Sequence, residues 1–249
     1  MRIKILLLLF LFCFINISGS DICKLIEDGD NLYEQRADVE RALLAMRKYV
    51  RVLALHPDNF DALWKVSRTA HYLVDEISDK AKKRKIVELG IRKAKKAIKI
   101  APERVEGYFW LGVNYAKEGQ VKGILKSLFR ISPIKKNMRK VIDIDKTYEG
   151  GGAYLVLGRV YSQVPGILGG SSKKALANLL KAKEICSSNP LVYLFLAEVY
   201  VDMGRREDAV NELTVLEKLK NDKRWIPETI KKKREGREML NKLLSGRNK

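Results

Sequence analysis

The strongest constraint on this 249-residue chain is a pattern it repeats against itself. Three segments carry an aromatic residue, Leu three positions later, a small residue next and Tyr three after that. They are Tyr108, Leu111, Gly112, Tyr115; Tyr154, Leu157, Gly158, Tyr161; and Tyr193, Leu196, Ala197, Tyr200. A degenerate copy reads Leu63, Val66, Ser67, Ala70. That spacing places all four residues on one helical stripe, and the small residue lets a neighbouring backbone come close. A second pattern, a small residue with apolar residues on the following turns, alternates with the first: Ala45, Tyr49, Val52, Pro57; Gly90, Ala94, Ala97, Pro102; Ala175, Leu179, Ala182; and Ala209, Leu213, Leu216. A weaker copy reads Met138, Val141, with Lys146 where Pro would stand. Gly119 and Gly204 are expected to end first helices, where a positive φ is needed, and Pro57 and Pro102 to end second helices.

A two-helix unit of this kind resembles the tetratricopeptide repeat, whose unit is about 34 residues long. The resemblance runs from Ala37 to Leu219 and implies an all-α, right-handed solenoid of about four helix-turn-helix units with capping helices at both ends. Leu111 follows Val66 by 45 residues, Leu157 follows Leu111 by 46 and Leu196 follows Leu157 by 39, so the units carry insertions expected to protrude on one side of the stack. Structural repeat positions are Leu111, Gly112, Tyr115, Leu157, Gly158, Tyr161, Leu196, Ala197, Tyr200 and Ala209. The basic segment after Trp225, Ile226 and Pro227 is read as a cap over the last unit's apolar face, or else as a helix lying on a membrane surface.

Arg2 and Lys4 precede an apolar run from Ile5 to Ile17 that gives way to Ser18, Gly19 and Ser20. This is the layout of a secretory signal peptide, and the run is shorter than the ~20 residues a bilayer-spanning helix needs. The expectation is cleavage near Ser20 and a periplasmic or secreted protein, divided into a signal peptide (1–20), a repeat domain (21–221) and a C-terminal basic capping helix (222–249). Ile22 before Cys23 does not fit a lipid-anchor site. Cys23 and Cys186 then remain; either they bridge, which would stabilise by roughly 4 to 5 kcal/mol, or Cys186 is a small buried apolar side chain.

Lys and Arg number 49 against 30 Asp and Glu, a formal charge of +19. Lys82, Lys83, Arg84, Lys85, Arg92, Lys93, Lys95, Lys96 and Lys99 form a basic face, read as a solvated outer surface or as a dock for acidic protein or anionic lipid. Export argues against a nucleic-acid partner. Neither His56 nor His71 sits in a metal-ligand spacing, and Gly166, Gly169 and Gly170 fail the phosphate-loop spacing. No Ser, His and acid arrangement stands out. A non-catalytic protein without cofactor or metal is expected.

The stretch from Thr147 to Asn178 combines a Gly triplet, L-G-x-x-Y, a Pro-Gly loop and a K-A-L helix start. It resembles the T-component family of tripartite ATP-independent periplasmic (TRAP) transporters, with Gly151, Gly152, Leu157, Gly158, Tyr161, Pro165 and Gly166 at matching positions. Ile167 and Leu168 stand where that family tends to have Trp-Pro, and Ser171 where it has an acid. The resemblance implies a protein partner, a periplasmic solute-binding subunit, and an apolar or carboxylate-bearing small ligand. A general interaction scaffold for envelope assembly is the alternative, and both peripheral membrane association and a homo-oligomer are compatible with the sequence. The residues expected to meet a partner or ligand are Asn114, Tyr154, Arg159, Gln163, Pro165, Gly166, Ile167, Leu168 and Glu198. The loop from Val164 to Ser172 is read either as this contact or as a tight connection whose Ile167 and Leu168 plug the core.

Overall fold

The computed structural model describes residues 19–246, the side chains of 124–127 excepted. The expected signal segment therefore lies almost wholly outside the described residues. Among those described, eleven α-helices and no strand are found: α1 (Gly19–Glu34), α2 (Val39–Leu55), α3 (Phe60–Glu76), α4 (Lys80–Ile100), α5 (Val105–Lys122), α6 (Ile124–Asp145), α7 (Tyr148–Gln163), α8 (Ser172–Ile185), α9 (Pro190–Asp202), α10 (Arg206–Lys218) and α11 (Ile226–Leu244). Among the described residues no helix is long and apolar enough to cross a membrane.

Helix starts are written into the sequence as short polar side chains. The Asn59 carboxamide oxygen accepts from the Ala62 amide at 2.9 Å, and the Asp79 carboxylate from the Lys82 amide at 2.8 Å. Asp38, Ser171 and Asn189 cap α2, α8 and α9 in the same way. Each bond satisfies an amide that the first turn of a helix leaves unpaired, and is worth about 1 kcal/mol.

The repeat stripes pack as their spacing requires. A Cβ on Gly112 would overlap the Met138 methyl, and one on Gly158 would stand 2.6 Å from Leu179 Cγ, so first and second helices approach at these glycines. Leu196, Ala197, Leu179 and Leu213 close the C-terminal part of the core, Leu111, Met138 and Val141 the middle, and Tyr49, Val52, Leu63 and Val66 the N-terminal part. Each pair of helices buries its apolar faces by stacking on the next, as in other solenoids.

Three features differ from expectation, and the cysteines follow the second of their two readings. Residues read as an N-terminal cap form α1, which pairs with α2, so five helix pairs precede α11. Gly119 is buried inside α5, and the chain turns instead at Gly123, where φ is +98°. The extra residues of the first and second spacings lengthen α4 and α6 to 21 and 22 residues rather than forming loops; the segment that does stand out, in the third spacing, is 164–171. Cys23 is exposed, Cys186 is buried, and both are free thiols. Helix α11 packs on α9 and α10, burying Thr229, Gly236 and Leu243.

Candidate partner-binding site

The most unusual chemistry of the molecule lies where α1, α3, α7 and α11 converge. The Tyr33 ring of α1 receives two guanidinium groups, Arg68 at 3.9 Å from its centroid and Arg36 at 4.9 Å. Arg68 also lies 4.9 Å from the Trp64 ring, and Arg36 lies 5.8 Å from the Tyr72 ring. Aromatic faces attract cations, and the attraction grows as water is removed.

Acidic groups balance this pair from two sides. Asp30 accepts from Arg68 Nη2 at 3.2 Å, from the Tyr49 hydroxyl at 2.7 Å and from Lys65. Arg36 donates to Glu228 Oε2 at 2.9 Å and to the Arg224 carbonyl at 2.6 Å, while the Tyr72 hydroxyl donates to the Arg36 carbonyl at 2.6 Å. Burial pushes the Tyr33 hydroxyl up to about 12, against the pull of Arg68 and Arg36. The arginines are thus anchored through their Nη atoms.

A third acid reaches the cluster by an uncommon backbone route. Glu149, Gly150 and Gly151 have φ values of 49°, 61° and 74°, one left-handed turn at the start of α7. Two glycines tolerate that conformation, whereas Glu149 carries a Cβ that strains it by ~1 to 2 kcal/mol. Burial raises the Glu149 carboxyl, and Arg68 and Arg36 oppose the rise. Beside it the Trp110 indole donates to the Tyr148 hydroxyl at 3.0 Å.

Arg36 Nε, Arg68 Nε and Trp225 Nε1 are buried without a hydrogen-bond partner within the protein. Such groups are costly, by about 1 to 3 kcal/mol each. All three are donors, so only an acceptor would satisfy them. Next to the cluster, a cleft of about 710 Å³ opens between α3 and α11, with Tyr72, Glu76, Pro227, Ile230 and Lys231 in its wall.

The residues expected from sequence fall elsewhere. Asn114 is fully buried, donating to the Ser67 carbonyl at 3.0 Å and the Trp110 carbonyl at 2.8 Å; it ties α5 to α3 and offers no open face. Arg159 and Glu198 are brought together, but as an ion pair between α7 and α9, with Arg159 4.4 Å from the Phe195 ring. Tyr154 packs half-buried against the C-terminal core, with Lys181 over its ring. Gln163 is exposed at the end of α7. Pro165, Gly166, Ile167 and Leu168 are all exposed, so the reading in which Ile167 and Leu168 plug the core does not hold. The Gly triplet was the one sequence signal pointing at the cluster, through Glu149 in front of it.

Among the described residues no group of three or more His, Cys, Asp or Glu side chains could hold a metal ion.

The sequence model of the family described as Regulator of microtubule dynamics protein 1-3 (RMD1-3) matches residues 25–167, more than half of the chain. The chain belongs to this family. The match takes in α2 to α7 and most of α1, and with them Tyr33, Arg36, Arg68 and Glu149. No curated protein matches this RMD1-3 family member in sequence. Among solved structures it is similar to TTC0263, a thermophilic TPR protein of Thermus thermophilus, at 20% identity and a TM-score of 0.64, covering 90% of this chain and 98% of that one. It is also similar to PilW, a type IV pilus biogenesis factor, at 16% identity and a TM-score of 0.59, covering 90% and 93%. At these identities the likeness establishes the tetratricopeptide solenoid. Nothing found places the chain in the T-component family of TRAP transporters.

Proposed function

We propose that this family member is a non-catalytic protein-interaction scaffold whose arginine-aromatic cluster grips an extended, acidic segment of a partner protein. The observation that carries the reading is the convergence of Arg36 and Arg68 on the Tyr33 ring, each with an unpartnered Nε. Stacked guanidinium groups with free donors recognise carboxylates and peptide carbonyls, and the rings offer apolar faces to the side chains between them. Tetratricopeptide solenoids are suited to this because their stacked first helices line one continuous surface.

Calorimetric titration with an acidic peptide, and with its Lys-substituted counterpart, tests the chemistry. The acidic peptide is expected to bind and Arg68→Ala to weaken it about tenfold or more, in line with loss of a charge-assisted contact; equal binding of both peptides would refute the assignment. Cross-linking in the native cell, with partners identified by mass spectrometry, tests the biology. The family's name points to microtubule dynamics. The motif around Gly151, Leu157, Gly158, Tyr161 and Pro165 instead supports an exported TRAP accessory subunit that meets a periplasmic solute-binding protein. The captured partner distinguishes the two.

A further inference from the structure

A second surface, separate from the arginine-aromatic cluster and independent of its proposed role, lies along α6 and the 164–171 loop. The loop rises from the end of α7 in a single 3-10 turn, Gly166–Leu168, and lifts Ile167 to 95% exposure and Leu168 to 45%. Phe129 on α6 is 82% exposed. It stands on the same stripe of that helix as Ser132, Lys136 and Lys140, spaced three, seven and eleven residues on. Those three residues and Leu168 line one open groove of about 1220 Å³ that has Leu128 and Ile131 in its floor. Lys135 Nζ, which donates to the Gly169 carbonyl at 3.3 Å, joins the loop to the helix. The apolar tips and the cations therefore share one face.

The charge of that face is predominantly basic. Lys135, Lys136, Arg139 and Lys140 line the groove against one acid, Asp143, while Arg130 is turned away to Glu118 and the Tyr115 ring; Lys173 and Lys174 follow the loop. Isolated bulky apolar tips standing on a cationic ground suit the boundary of an anionic bilayer. There the tips enter the acyl region, the long basic side chains stay at the phosphates, and no shape-matched pocket is required. A protein partner would instead demand a contiguous apolar patch, and here the apolar side chains are separated by lysines. We infer that the face built from Phe129, Ile167, Leu168 and the lysines of α6 docks this protein on anionic membrane surfaces.

The full chain carrying Ile167→Trp is mixed with vesicles of phosphatidylcholine containing phosphatidylglycerol, and with vesicles whose lipids bear bromine on the acyl chains. A chain carrying Val215→Trp, on the exposed side of α10, serves as the control for any membrane contact made through the apolar N-terminal run. Expected are a blue-shifted emission and bromine quenching for Ile167→Trp, neither for Val215→Trp, and no effect with phosphatidylcholine alone. Lys136→Glu with Lys140→Glu, both exposed, is expected to lower vesicle affinity roughly tenfold or more with the circular dichroism unchanged. Equal quenching at the two positions, or none at Ile167→Trp, overturns the inference. So does a blue shift without vesicles that grows with protein concentration, which would assign the tips to a second copy of the chain.

Discussion

Arg36 and Glu228 stand 192 residues apart in the chain and 2.9 Å apart in space. Their ion pair, with the Arg36 bond to the Arg224 carbonyl, ties the C-terminal helix back to the connection after α1. Lys231 of α11 approaches Glu76 of α3 at 3.9 Å on the same side. The solenoid is thereby fastened between its two ends by a few polar contacts rather than by a wide apolar interface.

Removing that fastening has a defined consequence. Arg36→Ala deletes two charge-assisted hydrogen bonds from a side chain only 8% exposed, a loss of about 2 kcal/mol. The expected result is faster amide hydrogen exchange over 226–244 with α4 to α6 unchanged, alongside a lower unfolding midpoint. Uniform acceleration across all helices would show that the contact belongs to global stability and not to a latch.

The 164–171 loop offers a paired test of close packing. A Cβ on Gly170 would overlap the Val164 carbonyl oxygen, whereas one on Gly166 meets nothing within 4 Å. Gly170→Ala must therefore shift backbone, and is expected to cost about 2 kcal/mol or more in chemical denaturation. Gly166→Ala is expected to stay within about 0.5 kcal/mol of the unchanged chain. Equal effects would mean that the turn is not held as described.

How far the sequence could be read depended on the range of the interactions. Leu111, Gly112, Tyr115, Leu157, Gly158 and Leu196 were legible because helical periodicity and burial are local properties. Asn114 was misplaced because a polar residue on a stripe reads as exposed unless its partners are known, and here they are Ser67 and the Trp110 carbonyl. Apart from the Gly triplet that follows Glu149, nothing in the sequence pointed at the arginine-aromatic cluster. Tyr33, Arg68, Glu149 and Glu228 come from four separate helices, and no spacing joins them. The residues of α1 looked like a cap, and the left-handed turn at Glu149 is hidden behind a run of glycines whose purpose is clear only in three dimensions.

That turn can be relaxed by substitution. Glu149→Gly removes the only non-glycine positive φ among the described residues, together with a carboxylate whose ionisation burial disfavours. A gain of about 1 kcal/mol is expected, net of the entropy that glycine adds to the unfolded chain. Glu149→Gln keeps the shape and removes the charge beside Arg68 and Arg36. It is expected to strengthen binding of an acidic peptide, the reverse of Arg68→Ala. A weakening would mean that Glu149 itself contacts the partner through a donor group.

His71 supplies the acid dependence. Burial pushes its imidazole down to about 3 from the usual 6.5, helped by the neighbouring Lys117 charge, while Asp75 and the Val113 backbone act in the opposite sense. Its ring lies 5.9 Å from Trp110, and Nδ1 has no partner within the protein. Between these two values the unfolded chain holds a proton that the folded chain does not. The stability contributed is therefore complete above pH 6.5 and is lost as the pH falls toward 3, with a slope approaching about 1.4 kcal/mol per pH unit. Asp75, whose carboxyl is held low by Lys117 despite its burial, contributes to the loss only at the acid end, below the ordinary carboxylate range. In urea unfolding between pH 6.5 and 4.5 the Glu149 carboxyl, raised by burial, acts in the opposite sense, so the histidine is read from the difference between the unchanged chain and a His71 variant. His71→Gln is expected to flatten the dependence over that interval, and an unchanged slope would show that the imidazole takes up its proton in the folded chain.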